Sequence, residues 1–331
     1  MAQMKYFYEL TISSSPHIHS PVTTQTIMRD VLIALAPAML GSMVFFGPRA
    51  LTVTLVSVLA CVVFEWGYCK LLKLPCMIYD LSAVVTGVLL AFVCPVTIPY
   101  WTIIFGAAFA ILLVKMLFGG LGKNIVNPAL AGRAFMFSWP VLMSTWVKVG
   151  SEYAAPVVGG VDVVTAATPM GALHAASLPE TPILASFWGD VGGSLGETSA
   201  ALLLAGFIYL LYRKVITARI PVSFIGTVAI LTFLFPMGQP RIDWMLYHIF
   251  SGGLMLGAIF MATDYVTSPL THLGQIVYGI GCGALTVLIR YFGAYPEGVS
   301  YAILCMNCCT VLLDRIGRPM KFGAPGKEAA K

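Results

Sequence analysis

The chain has 331 residues, of which 59% are hydrophobic and only 10% charged, and its formal net charge is +5. A typical soluble domain carries about 25% charged residues, so the composition excludes a water-soluble enzyme, and the high hydrophobicity excludes a disordered chain. The remaining solvent is the lipid bilayer, where a spanning helix needs about 20 apolar residues. We therefore expect an all-α polytopic membrane protein.

Residues 1–26 are polar and lack the apolar core of a cleavable signal peptide, so they predict a cytoplasmic N-terminal segment. Ten apolar segments follow, and each is interpreted as a transmembrane helix whose ends are defined to within a few residues. They are 27–47, 51–71, 80–97, 99–118, 127–146, 198–213, 220–237, 243–263, 272–291 and 299–314. Ten spans place both termini on one side of the membrane.

Residues 147–197 form the only long hydrophilic connection, between five spans in 27–146 and five in 198–314, and 315–331 form a cytoplasmic tail. Short similarities relate the third and eighth spans, because both contain a hydroxyl residue before glycine and both are followed by Val-Thr-x-Pro. The third span runs outward and the eighth inward. We therefore expect a five-plus-five inverted repeat with a working site where the halves meet; the alternative is chance similarity between apolar segments.

The basic residues indicate the orientation, since cytoplasmic loops of membrane proteins are enriched in Lys and Arg. Four lie on the side of the long connection, namely Arg49, Lys148, Arg241 and Arg290. Fifteen lie on the side of the N-terminus: Lys5, Arg29, Lys70, Lys73, Lys115, Lys123, Arg133, Arg213, Lys214, Arg219, Arg315, Arg318, Lys321, Lys327 and Lys331. This bias predicts cytoplasmic termini and an extracytoplasmic 147–197 connection in the cell's inner membrane.

The outward connection contains Asp162-Val-Val-Thr165-Ala-Ala167-Thr168-Pro169. The small neighbours of these hydroxyls leave room for a bulky phosphoryl group. Composition alone favours another role, in which Thr165 and Thr168 cap a helix beginning at Pro169.

Two polar blocks interrupt the spans. Gly119-Gly-Leu-Gly-Lys-Asn124-Ile-Val-Asn127 either lines a cavity with backbone and amide groups or forms a tight re-entrant turn. Asp264 follows the eighth span in a loop without a basic residue, and either binds a cation or a ring system or caps the next turn. Pairing with Lys70 accounts for Glu65 within the second span. The cysteines of Cys305-Met-Asn-Cys308-Cys309 suit packing better than metal binding, and no metal site is expected.

Together these residues resemble the family that contains the D subunit of the Rnf ferredoxin:NAD oxidoreductase and the B subunit of the sodium-pumping NADH:quinone reductase. The resemblance rests on Ser15-Pro-His-Ile18, on the glycine and asparagine block at 119–130, and on Ala262-Thr-Asp-Tyr265. It implies a subunit, inactive alone, of an ion-translocating oxidoreductase complex that couples electron transfer through flavins to sodium or proton transport. The other complex subunits are the implied partners.

The resemblance also implies flavin mononucleotide (FMN) bound covalently through its phosphate to Thr168 by a flavin transferase. Asp162, Thr165 and Ala167 complete the attachment pattern, although Val163 and Ala166 stand where the family often has glycine. A second, non-covalent flavin such as riboflavin is implied within the spans, with Asn124, Asn127 and Asp264 as candidates for its site or for the ion path. The alternatives are membership of a quinone reductase, a secondary transporter without a redox group, and an assembly scaffold.

The charge bias predicts which positions are accessible from outside the cell. In a cysteine-depleted background, an impermeant thiol reagent should label a cysteine introduced at Ser177 and should not label one introduced at Lys327. The reverse pattern would invert the orientation.

Overall fold

The computed structural model describes residues 22–75, 78–147, 149, 168–293 and 295–317, and within these ranges the chain is helical and has no strand. This confirms the all-α prediction. The helices of the first half are α1 (Thr24–Phe46), α2 (Pro48–Leu71), α3 (Ser82–Phe92), α4 (Tyr100–Ala108, continued as a π-helix over Phe109–Met116), α5 (Pro128–Met136) and α6 (Pro140–Met143).

Two short helices, α7 (Pro169–His174) and α8 (Ile183–Trp188), precede the second half. The second half contains α9 (Ala200–Tyr212), α10 (Arg219–Leu234), α11 (Arg241–Phe250), α12 (Leu254–Leu256, continued as a π-helix over Gly257–Met261), α13 (His272–Phe292), α14 (Val299–Cys308) and α15 (Thr310–Leu313). The terminal segments 1–21 and 318–331 lie outside the described residues, and so do residues 150–167 in the long connection.

Within the described ranges, three helices are long and apolar enough to cross a membrane, namely α1, α2 and α13. Helix α11 and the helix over 254–261 satisfy the same test as a pair, although they meet at a bend of 60°. Five shorter helices are also apolar: Ser82–Phe92, Tyr100–Met116, Ala200–Tyr212, Arg219–Leu234 and Val299–Cys308. The described chain is therefore a multi-pass membrane protein.

Hydrogen bonds between distant segments define two ends of the helix bundle. At the near end, where α1 begins, Arg213 pairs with Asp30 at 3.1 Å and the Leu270 amide donates to Asp314 at 2.7 Å. At the far end, the Gly196 amide donates to the Phe92 carbonyl at 2.9 Å. The polar segment 117–127 lies at the near end, and the connection that contains α7 and α8 lies at the far end.

Several predicted spans are shorter in the structure or are broken. The predicted span 80–97 is helical over Ser82–Phe92, because the chain then turns through two prolines, Pro95 and Pro99. The predicted span 127–146 is divided between α5 and α6, with Pro140 at the start of α6. Helical length alone therefore does not reproduce the ten predicted spans.

The segment after α3 is held by a buried arginine at the start of α2. Arg49 donates from Nε to the Val96 carbonyl at 2.7 Å and from Nη2 to the Thr97 and Ile98 carbonyls at 3.4 and 3.2 Å. Non-helical backbone within an apolar bundle must have its polar groups satisfied internally. One guanidinium thus stabilises three consecutive carbonyls that no helix could pair.

A second arginine does the same at the break between α11 and α12. Arg290, 1% exposed, donates from Nη1 to the His248 carbonyl at 2.6 Å and from Nη2 to the Ser251 and Gly252 carbonyls, both at 3.1 Å. Gly252 and Gly253 have φ of +71° and +68°, a left-handed conformation that favours glycine. The predicted eighth span is therefore two helices joined at a glycine hinge.

Truncation of Arg290 should unfold this hinge. Arg290→Met leaves three carbonyls without their donor, and hydrogen bonds from charged groups contribute about 1.5–3 kcal/mol each. The three bonds together contribute about 4.5–9 kcal/mol, so we expect the melting temperature in detergent to fall by roughly 10 °C or more, since about 1 kcal/mol shifts the melting of a large domain by 2–4 °C. Arg241→Met is the control, because Arg241 is exposed and only stacks over Phe233. Equal stability of both variants would refute the role of Arg290.

Candidate functional site

A cavity of about 70 Å³, partly open to solvent, lies between the two halves of the chain, and we call it the inter-half cavity. The first half contributes residues from α1, α3, the 117–127 segment and α5, and the second half contributes residues around 210–216 and 260–266. Its polar lining residues are Ser82, Thr86, Lys115, Asn124, Asn127, Thr263, Asp264 and Tyr265. The cavity thus combines apolar helix faces with a polar rim at the near end of the bundle.

Three residues that the sequence singled out separately, Asn124, Asn127 and Asp264, meet in this cavity. The glycine and asparagine block places the two asparagines there, because the chain turns at Gly119, Gly120 and Gly122 with positive φ before α5 begins. Asp264 reaches the cavity from the loop after the π-helix over 257–261. The two blocks lie far apart in sequence, and only the fold brings them together.

Asn127 joins the two halves. Its Oδ1 accepts hydrogen bonds from the Ala129 and Leu130 amides at 3.0 and 3.4 Å and so caps α5, while its Nδ2 donates to the Met261 carbonyl at 3.3 Å. With the Asn307 amide oriented to satisfy its surroundings, Asn307 Oδ1 accepts from the Asn127 backbone amide at 3.1 Å. The amide groups of both halves therefore contact one another beside the cavity.

Asn124 contributes an acceptor without a partner. The residue is 8% exposed, and its Oδ1 has no hydrogen-bond partner among the described residues. A buried polar atom without a partner is costly, and such an atom in a cavity wall is a ready acceptor for a ligand N–H or O–H group. The wall of the cavity therefore offers an unpaired hydrogen-bond acceptor to a polar ligand.

Asp264 makes the contacts that its capping interpretation predicted, because its Oδ2 accepts from Thr267 Oγ1 at 3.1 Å. Burial raises the pKa of this carboxyl above its usual range, and hydrogen bonds from Thr267 and from the Val266 and Tyr265 amides oppose that shift. The same carboxyl group lines the inter-half cavity. Capping and ligand binding are thus compatible roles for Asp264.

The sequence suggested that Glu65 pairs with Lys70, but in the structure Glu65 pairs with Lys115. Its Oε2 lies 2.6 Å from Nζ of Lys115, which is 1% exposed, and Lys70 instead lies 4.7 Å from the centre of the Trp66 ring. Lys115 Nζ also donates to Ser82 Oγ at 2.6 Å. Lys70 is the nearest basic residue in the sequence, whereas Lys115 comes close only because α4 and its π-helix pack against α2.

At the far end, Thr168 caps α7. Its hydroxyl accepts from the Gly171 amide at 3.2 Å, as the capping interpretation predicted, and the side chain is only partly buried. Asp162, Thr165 and Ala167, the other residues of the predicted attachment pattern, lie outside the described residues. Thr168 therefore places a hydroxyl at the far-end surface, within reach of solvent.

Thr168 borders a second, small cavity of about 20 Å³, the far-end cavity, whose wall includes Ser194, Glu197, Ser251, Gly252 and Glu297. Ser194 Oγ and Ser251 Oγ are buried and have no hydrogen-bond partner among the described residues. The far-end cavity therefore also presents unpartnered polar atoms to a ligand.

A buried charge cluster lies beneath the far-end cavity. Arg133 pairs with Glu197 at 3.2 Å and with Glu297, and it donates to Ser300 Oγ at 2.9 Å. Burial raises the pKa of Glu197 to about 7, although Arg133 opposes the shift. The prediction that placed Arg133 on the side of the N-terminus was wrong, because α5 carries it toward the far end, where it pairs with Glu197.

The two cavities lie close to each other along one helix. Gly252 borders the far-end cavity and Phe260 borders the inter-half cavity, and the helix over 254–261 connects them. At a rise of about 1.5 Å per residue, residues 254–260 span about 9 Å of this helix. The helix therefore leads from the wall of one cavity to the wall of the other.

The described residues contain no cluster of three or more His, Cys, Asp or Glu side chains suited to a metal ion. The cysteines within them form no disulfide, and four of them are buried. The packing interpretation of the Cys305–Cys309 segment was wrong, because Cys305 and Cys308 are exposed and Cys309 is only half-buried.

The fold and the two cavities define a class of protein. It is a multi-pass helical membrane protein whose halves enclose a polar cavity and which has a second polar cavity at the opposite end. Residues 11–323 match the NQR2, RnfD, RnfE family, and the chain belongs to this family.

The chain is 46% identical over 318 residues to the D subunit of the Na(+)-translocating ferredoxin:NAD(+) oxidoreductase complex of Acetobacterium woodii, with 95% of each chain covered. It is 45% identical to the D subunit of the proton-translocating ferredoxin:NAD(+) oxidoreductase complex of Clostridium ljungdahlii, over 95% of this chain and 96% of the relative. It is 37% identical to the D subunit of the ion-translocating oxidoreductase complex of Stutzerimonas stutzeri, over 90% and 91%. Sodium and proton translocation are thus named for relatives at nearly equal identity.

Proposed function

We propose that the protein is the D subunit of an ion-translocating ferredoxin:NAD oxidoreductase complex and that it carries electrons through two flavins. The proposal is supported by the names of relatives that match nearly the whole chain. The observation that carries it is the convergence of Asn124, Asn127 and Asp264 on one cavity between the two halves. The chain acts as a membrane subunit of this enzyme and not alone.

The inter-half cavity is the site of the non-covalent flavin, of which riboflavin is an example. Asn124 Oδ1 accepts a hydrogen bond from the ring system, and Asn127 and Asp264 define the polar rim that orients it. The apolar walls of α1, α3 and α9 contact the hydrocarbon faces of the ring. Flavin accepts one or two electrons, so it links carriers of both kinds.

Thr168 is the acceptor for FMN, joined by a flavin transferase through a phosphoester to its hydroxyl oxygen. Support comes from the attachment pattern and from the position of Thr168 at the surface beside a polar cavity. The hydroxyl oxygen accepts one hydrogen bond from Gly171 and donates none to a described residue. Esterification therefore breaks no hydrogen bond that this hydroxyl donates.

The chain makes ten passes arranged as a five-plus-five inverted repeat, with cytoplasmic termini. Matching contacts in the two halves support this arrangement. The second helix of each half packs against the third and the fourth, as α2 does with α3 and α4 and α10 with α11 and α13. Across the halves, α1 packs on α9 and α5 on α14, which pairs first with first and fifth with fifth. The remaining lysines and arginines still favour the near side as cytoplasmic.

The partners are the other subunits of the complex, and the transported ion is sodium or a proton. Moving one elementary charge against the membrane potential costs about 2.3 kcal/mol per 100 mV, so the exergonic electron transfer must drive it. A secondary transporter of the same shape requires no flavin. Fluorescence of the purified, denatured chain separates these classes, since only covalent flavin stays with the polypeptide.

Loss of the unpartnered acceptor should release the non-covalent flavin. Asn124→Leu removes a hydrogen bond of about 1.5 kcal/mol, which corresponds to a roughly tenfold weaker affinity. Acid extraction of the purified complex should therefore recover clearly less free flavin from this variant, while covalent flavin remains. Gln239→Leu removes an exposed far-end amide and is the control. Full flavin recovery from Asn124→Leu would contradict the site.

Substitution of Thr168 should abolish the covalent flavin. Thr168→Ala removes the nucleophilic oxygen, so in-gel fluorescence should vanish and electron flow should fall steeply, whereas Thr165→Ala should only reduce labelling. Thr168→Ser keeps the oxygen and should be labelled in part. Loss of the α7 cap costs about 1 kcal/mol, so the complex should still assemble. An unmodified Thr168 peptide, found by mass spectrometry in a fully active complex, would refute the assignment.

A further inference from the structure

Lys115 occupies an unusual position between two cavities. It lines the inter-half cavity together with Ser82, and its ammonium group contacts both Ser82 Oγ and Glu65 Oε2, each at 2.6 Å. Glu65 lines a different cavity, which opens at the near end and which we call the near-end cavity. The Lys115–Glu65 ion pair therefore separates the proposed flavin site from a solvent-connected space.

The near-end cavity has an acidic wall toward this pair. Asp80 lines it together with Glu65, and Ser82 Oγ, which accepts from Lys115, donates to Asp80 Oδ1 at 2.6 Å. Lys123 also lines the cavity, but its side chain is exposed. Lys115 is thus the buried cation that now balances the carboxylates between the two spaces.

A buried ion pair is sensitive to any new charge nearby, because the low-dielectric interior screens it weakly. Lysine has a flexible four-carbon side chain, so its ammonium group can change partner while its backbone stays fixed. Lys115 already forms part of the inter-half cavity wall. A negative charge arriving there would compete directly with Glu65 for the same ammonium group.

We propose that Lys115 is a movable counter-charge that turns from Glu65 toward the inter-half cavity when the cavity gains an electron, and that the freed Glu65 carboxylate then binds a monovalent cation from the near-end cavity. The inference rests on the proposed flavin in the inter-half cavity. It assigns the cation site to Glu65, with Asp80 facing the same space.

The step balances in charge and forms no covalent bond. One electron enters the inter-half cavity from the one-electron carrier upstream in the complex, and one cation, Na⁺ or H⁺, enters the near-end cavity from the cytoplasmic side. When the electron leaves, Lys115 returns to Glu65 and expels the cation. Electron transfer and ion binding are therefore coupled through one side chain.

The coupling can be measured as a cation dependence of the flavin potential. In the purified complex, the midpoint potential of the non-covalent flavin should rise with cation concentration, by up to 59 mV per tenfold change for a one-electron couple. One titration varies Na⁺ at fixed pH, and the other varies pH at fixed Na⁺. Flavin itself takes up protons when it is reduced, so the pH dependence that counts is the part in excess of that uptake, measured as the difference between the wild type and Glu65→Gln. A Na⁺ dependence identifies sodium, and an excess pH dependence identifies the proton. The wild type and Lys70→Met should behave alike, because Lys70 does not contact Glu65.

The decisive variant is Lys115→Met/Glu65→Gln, which removes both charges of the pair and leaves no buried ion unpaired. Its flavin potential should lose the cation dependence in both titrations, apart from the proton uptake of the flavin itself. Glu65→Gln alone should lose it too and serves as the second variant if the double variant fails to assemble. A wild-type dependence in either variant, or a wild-type potential insensitive to both cations, would overturn the role of Lys115. A wild-type complex without non-covalent flavin would instead refute the proposed function.

Discussion

The structure depends on how backbone groups are satisfied where helices end inside an apolar bundle. A broken helix frees carbonyls and amides, and each that stays unpaired in a bilayer is costly. Two buried arginines meet this demand, since Arg49 donates to three carbonyls after α3 and Arg290 to three at the α11–α12 break. At the other end of the bundle, Asn127 caps α5 and donates to the Met261 carbonyl. These contacts make it possible for polar segments to lie inside the protein.

The cavities follow from these breaks. A continuous helix presents side chains only, whereas a helix that begins or ends inside the bundle adds amides, carbonyls and loop side chains to a cavity wall. The inter-half cavity lies where α5 begins and the helix over 254–261 ends, and the far-end cavity lies where that helix begins. The same short helix thus leads from one proposed flavin site to the other.

The sequence predicted the membrane class, the helical fold and the polar blocks, because these depend on local composition and on glycine and proline. It also provided both interpretations of Thr168 and of Asp264, and the capping contacts of both residues are present.

The sequence did not predict which distant residues meet. Lys115 replaces Lys70 beside Glu65, and Arg133 joins Glu197 and Glu297, because helix packing outweighs sequence spacing. The lengths of the spans were also overestimated, since apolar sequence continues through segments that arginine holds in a non-helical form. Pro95, Pro99, Gly252 and Gly253 mark these segments in the sequence, whereas the arginine that stabilises each segment lies elsewhere in the chain.

The central claim is that the inter-half cavity holds a flavin, and an experimental density map of the intact, oxidised complex tests it most directly. We expect planar three-ring density in the cavity, with a polar edge within hydrogen-bond distance of Asn124 Oδ1. Lipid or solvent density there, with flavin bound elsewhere in the protein, would contradict it.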